Sequence, residues 1–147
     1  MAVGKKSVIL IVDDDDMNLA MAKAILDVKV EAEFLEAVSG RQCLQMLQQR
    51  GGKVDLILLD IAMPGMDGLE TVEKIRAHAG WEKLPVIMLT AAADKSTIVK
   101  ASRLGIADYV RKPFVAEDLI SRVERTLVTA QLDSEEIQDI FSALDKL

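Results

Sequence analysis

Aromatic side chains are scarce in this sequence: Phe, Trp and Tyr make up 3% of 147 residues, although half of the residues are hydrophobic. A core of ordinary size must therefore be built from Val, Ile, Leu, Met and Ala, and the length suits one domain rather than two. A basic excess is also missing. The formal charge is -6, from 24 acids and 18 bases, which argues against direct nucleic-acid binding. No apolar run approaches the roughly 20 residues of a membrane-spanning helix. The opening MAVGKKSVILIVDDDD has neither a long apolar signal core nor a small-residue cleavage site, so a cytoplasmic location without a membrane partner is expected. The lone cysteine, Cys43, excludes an internal disulfide framework and fits the same compartment. It lies on an apolar helical face and reads as a small core residue. The lone histidine, His78, reads as a helix-end surface residue, and Trp81 as a packing residue. Internal repeats and low-complexity linkers are absent.

What is present is a strict alternation of apolar runs and helix-period segments. VILIV (8–12) is short and β-branched, as a strand buried on both faces should be. Further strands are predicted at 30–37 (an edge strand), 54–60, 85–90 and 108–110. Helices are predicted at 17–26, 40–50, 69–79, 95–105 and 116–128, with MPGMDG (63–68) as a loop. This order implies an α/β fold, a parallel sheet with helices on both faces and right-handed crossovers. The pattern leaves the strand order open.

The buried strands end on polar residues. The first runs into Asp13 and Asp14, the third ends on Asp60 and the fourth on Thr90, while Lys112 follows the fifth by two residues. In open parallel sheets ligands bind at the carboxyl ends of the strands. Three carboxylates without a nearby cysteine or histidine suit a hard cation with oxygen ligands, above all Mg²⁺. Lys112 and Thr90 are placed to hold phosphoryl oxygens, and an aspartate can itself be a nucleophile, giving an aspartyl phosphate. Asp60, central in the sheet, is the expected acceptor. Asp15 and Asp16 read instead as acids at the start of the first helix.

VDDDD, LLDIAMPGMDG, MLTA and ADYVRKPF, in this order, resemble the receiver domain of bacterial two-component response regulators over roughly residues 7–128. The resemblance implies a flavodoxin-like, doubly wound five-stranded sheet of order 2-1-3-4-5 with five helices. It implies that Asp13 and Asp14 organise Mg²⁺, with Asp60 and the backbone carbonyl of Ala62 as further ligands. Asp60 would be the phosphoacceptor, Thr90 and Lys112 would bind the phosphoryl group, and Thr90 and Tyr109 would form the switch. A cis Lys112–Pro113 bond is implied as well. Ala62 and Ala92 occupy positions that tune phosphoryl lifetime in the family. Both are small here, so other groups are expected to set that lifetime.

The resulting expectation is a phosphorylation-dependent signalling switch, not an enzyme acting on a separate substrate, though able to catalyse its own phosphorylation and dephosphorylation. Its phosphodonor would be a histidine kinase or a histidine phosphotransfer protein. Two rivals remain. A pseudo-receiver would never be phosphorylated, against which the intact set of site residues argues. An aspartyl-phosphate hydrolase would need a second acid two residues past its nucleophile, where this chain has Ala62. The first helix is apolar nearly all round, including Met17 and Met21, which resembles the family's kinase-docking surface or is simply tolerated exposure.

Residues 1–130 are read as the receiver domain and 131–147 as a C-terminal tail, helix or linker. Residues 133–147 carry five acids and one base, a net of -4, against -2 for the remaining 132 residues. Asp133 or Ser134 could cap an amphipathic helix bearing Ile137, Ile140, Phe141 and Leu144. Packing on its own domain, pairing of two chains and a lead into a further region all remain open for it. With no DNA-binding module following in this sequence, signalling is expected to run through protein contacts, or the chain is part of something longer.

Overall fold

Along β1 (Ser7–Val12), Ile9 and Ile11 point to one side of the sheet and Leu10 and Val12 to the other. All four are fully buried. The same two-residue alternation runs through β3 (Leu56–Asp60) and β4 (Val86–Thr90), so the sheet is covered on both faces and needs apolar residues at every position. The computed structural model of the chain describes residues 6–91, 95–131 and 134–146. Ala92 and Asp133 lie outside the described residues, as do the side chains of Ile137 and Phe141.

The remaining described elements are α1 (Asp16–Asp27), β2 (Ala32–Ala37), α2 (Gly40–Gln49), α3 (Gly68–Ala77), α4 (Lys95–Arg103), β5 (Asp108–Arg111), α5 (Ala116–Gln131) and α6 (Ser134–Asp145). The five strands are parallel in the order β2-β1-β3-β4-β5. One core layer joins Leu19, Ala22 and Leu26 of α1 to Leu119, Val123 and Leu127 of α5. The other joins Cys43 and Leu47 of α2, Val72 and Ile75 of α3 and Ala101 of α4. The doubly wound sheet and its strand order are as the sequence resemblance implied, with a sixth helix formed by the tail.

The boundaries moved where local hydrogen bonds took over. The edge strand begins at Ala32, because the Val30 N–H still donates to the Leu26 carbonyl at 2.8 Å and closes α1. β3 begins at Leu56, since the preceding Asp55 is held by its side chain accepting from the Val8 N–H at 2.7 Å. α3 stops at Ala77, and His78 then stacks on Trp81 with ring centroids 3.5 Å apart. α5 runs three residues further than predicted, to Gln131. A hollow of about 880 Å³ lies at the amino-terminal edge of the sheet, between Val54, Pro85 and Ala107 at the strand starts and Thr129 and Ala130 at the end of α5.

Two measurements follow from this packing. Leu58 is fully buried in the middle of the central strand, so Leu58→Ala should cost about 2–5 kcal/mol from lost burial plus the residual cavity, read as a lower urea midpoint at unchanged slope. Burial pushes the Cys43 thiol up to about 12. A raised thiol pKa favours the neutral form, so this contribution to stability is intact below the free-thiol range and fades as pH rises through it. At neutral pH a thiol reagent should therefore label Cys43 only as fast as the protein opens, and labelling should become rapid in denaturant.

Candidate functional site

The carboxyl-terminal edge of the sheet gathers charge from three strands. Asp13 follows β1 directly and is 1% exposed, and Asp60 closes β3 and is 5% exposed. Asp14, beside them, is solvent-exposed. One carboxylate oxygen from each of Asp13, Asp14 and Asp60 lies within 4.8 Å of the other two. Lys112 brings the compensating cation: its Nζ donates to Asp13 Oδ2 at 2.7 Å and stands 3.3 Å from Asp60 Oδ1.

Backbone groups orient both buried carboxylates. The Asp15 N–H donates to Asp13 Oδ1 at 3.0 Å, and the Ala62 N–H donates to Asp60 Oδ1 at 3.3 Å. Asp15 in turn caps α1 by accepting from the Met17 N–H at 2.8 Å, which explains the next acid of the aspartate run as a helix cap. Thr90 ends β4, buried, with its carbonyl accepting from the Lys112 N–H at 2.8 Å. That bond ties the lysine's backbone to the threonine strand. The Lys112–Pro113 peptide is cis.

Burial raises the Asp60 carboxyl above its ordinary range and the neighbouring Asp13 charge raises it further. The Lys112 ammonium and the Ala62 N–H pull in the opposite direction without cancelling the rise. Burial works against the Lys112 ammonium, but its hydrogen bond to Asp13 and the charges of Asp60 and Asp13 outweigh that and hold it above the usual lysine range. Lys112 thus stays charged, one ammonium facing three carboxylates. The surplus negative charge and the all-oxygen donor set fit a hard divalent cation such as Mg²⁺.

Asp13, Asp14, Asp60 and Lys112 therefore converge. Thr90 and Ala62 lie at the same edge, Thr90 at the end of the strand beside β3 and Ala62 two residues past Asp60. Tyr109 stands apart from the acids: its hydroxyl lies 2.7 Å from Ser102 Oγ and donates to the Ile98 carbonyl at 3.2 Å, both on α4. One support of the site, and one clamp at the far edge of the sheet, escaped the sequence reading. At Gly68 a Cβ would overlap the Asp60 carbonyl oxygen and the Ile61 Cα, so only glycine lets α3 start this close to Asp60. Gly68 N–H also donates to the Ile61 carbonyl at 2.8 Å. Arg76 reaches from α3 to the Leu104, Gly105 and Trp81 carbonyls, clamping the loops that lead into β4 and β5 at the opposite edge of the sheet. The glycine ending MPGMDG was the available signal for the first; nothing local marks Arg76.

Comparisons with known proteins agree with this fold. The model of the response regulator receiver domain matches residues 9–124. The chain is 36% identical over 117 residues to the chemotaxis protein CheY of Pseudomonas aeruginosa, covering 80% of this chain and 93% of that one. It is 33% identical over 122 residues to the hybrid signal transduction histidine kinase D of Dictyostelium discoideum, where it covers 82% of itself but spans only 8% of the relative's length. Among solved structures, a CheY-like response regulator receiver domain protein of Methanospirillum hungatei superposes with a TM-score of 0.77 at 30% identity, covering 86% of this chain and 98% of the other. By sequence, fold and the acids at its strand ends, the chain belongs to the response regulator receiver domain family.

Proposed function

We propose that this receiver domain is a phosphorylation switch whose acceptor is Asp60, loaded by a histidine kinase or a histidine phosphotransfer protein in the cytoplasm. The observation that carries the reading is the Lys112 ammonium lying against both Asp13 and Asp60 inside a cluster of three carboxylates. A strand-end turn without a ligand has no reason to bury two acids and a lysine together, given the desolvation cost of each.

In this reading an Asp60 Oδ attacks the phosphorus of a phosphohistidine. An acyl phosphate forms as the P–N bond breaks, and the imidazole leaves with its electron pair and takes up a proton. Asp13, Asp14, Asp60 and the Ala62 carbonyl would hold Mg²⁺. The ion supplies charge neutralisation for the crowded oxygens when bound. Lys112 passes from Asp60 Oδ1 to a phosphoryl oxygen, and Thr90 donates its hydroxyl to another. Movement of Thr90 then shifts a pre-existing equilibrium in which Tyr109 changes its hold on α4. Exposed Met17 and Met21 of α1 form the face offered to the donor. Residues 1–130 make up the switch domain and 131–147 an appended segment.

Incubation with a small-molecule phosphoryl donor and Mg²⁺ should add one phosphoryl group by intact mass. Omitting Mg²⁺ or substituting Asp60→Asn should abolish the adduct. An unmodified wild type, repeated with a kinase or phosphotransfer protein, would instead make this a docking module that is never phosphorylated. Ala62 is solvent-exposed beside the acceptor, and its methyl neither shields Asp60 nor directs water. Ala62→Asn, which adds a polar arm there, should change the rate at which the adduct decays, followed by the same mass measurement; an unchanged decay would overturn this role for the position.

A further inference from the structure

The hollow at the amino-terminal edge of the sheet, about 880 Å³, has the size of a site for a small organic molecule. Part of its wall is apolar, at Val54, Leu84 and Pro85 in the turns that lead into β3 and β4. Four cations also line it, Arg76, Lys83, Arg122 and Arg125, against the acids Asp55, Glu82 and Asp108. Each acid is already engaged. Asp55 accepts from the Val8 N–H at 2.7 Å, and Glu82 accepts from the Gly80 N–H at 2.9 and 3.0 Å. Asp108 accepts from the Tyr109 N–H at 2.8 Å and pairs with Arg122, which also holds Asp118. The other three cations are not matched in this way: among the described residues, Arg76, Lys83 and Arg125 join no ion pair.

Arg76 is the one that points to an anion. It is half-buried, and its partners are the three backbone carbonyls of Leu104, Gly105 and Trp81. Carbonyl dipoles offset a buried charge less completely than a carboxylate does. Burial accordingly holds the guanidinium below the usual arginine range. Guanidinium forks match the oxygens of a phosphate, and a phosphate monoester carries close to two charges at neutral pH. We infer that the hollow is a binding site for a small organic phosphate monoester. Arg76, Lys83 and Arg125 hold its phosphate, and Val54, Leu84 and Pro85 cover its organic part. Arg122, committed to Asp108 and Asp118, supplies wall rather than charge. The site lies at the opposite edge of the sheet from Asp13 and Asp60, so it can fill whatever the state of those acids.

The test titrates the full chain with phenyl phosphate in the absence of Mg²⁺ and follows backbone amide resonances. Saturable shifts should appear at Gly105, Ala107 and Thr126 around the hollow, and not at Asp14 or Ala62 beside the acids. Inorganic phosphate, which has no organic part to cover, should bind at least about tenfold more weakly. Lys83→Glu combined with Arg125→Glu, both at exposed positions, should weaken phenyl phosphate at least about tenfold while circular dichroism shows the fold retained. Asp60→Asn should bind as the wild type does, which separates this site from the phosphorylation reading. The absence of a saturable shift around the hollow at millimolar phenyl phosphate overturns the proposal. So does a charge-reversed variant that binds as tightly as the wild type, or inorganic phosphate that binds as tightly as the ester.

Discussion

Everything at the upper edge of this sheet depends on one lysine. Asp13 and Asp60 are buried beside each other and close to Asp14. Two like charges 4 Å apart repel by about 1 kcal/mol in water but by about 4 kcal/mol at the effective permittivity near a protein surface. Against a net stability of roughly 5–15 kcal/mol for a domain, that is a large strain to leave uncompensated. The Lys112 ammonium offsets part of it directly. Its position depends on the bond from its own N–H to the Thr90 carbonyl. Lys112, the threonine strand and Asp60 are thus a single electrostatic unit, with negative charge left over for a cation to reorganise.

Much of the layout was legible in the sequence because the physics was local and periodic. VILIV, LILLD and VIMLT have no polar face, which only a doubly covered sheet explains, and each hands a polar residue to the same edge. The strand order was not legible from the pattern, since parallel strands paired across the sheet share no local signal, and it rested on family resemblance. Boundaries drifted where a side chain bonds to backbone, as Asp55 does to Val8. Contacts made only through space were the hardest to foresee. Gly68 matters because of what lies next to it in space, and Arg76 because three carbonyls from two loops happen to surround it. Neither relation has a fixed spacing in the chain.

The helices are not equally anchored. α1, α2 and α3 each seat several fully buried side chains, whereas α4 contributes Ala101 alone. Ile98 is half-buried, and polar bonds add to the hold: Tyr109 to Ser102 and Ile98, and Arg76 to the turn that follows α4. Polar ties of this kind contribute only about 0.5–1.5 kcal/mol each, so α4 sits at the low-stability end of the fold, from which moving parts are drawn. The acids follow β1 and β3, among the more deeply buried helices, while α4 is tied to β5 through Tyr109.

The hollow beneath the sheet shows where the polypeptide enters and leaves. β1 starts at that edge beside β3, and the last turn of α5, with Thr129 and Ala130, returns to it. Both ends of the folded unit therefore open on the side opposite the acids. The fold behaves as a plug-in cassette: chain joined ahead of β1 or behind α5 attaches on the side away from the acids, so the points of attachment leave that edge unobstructed.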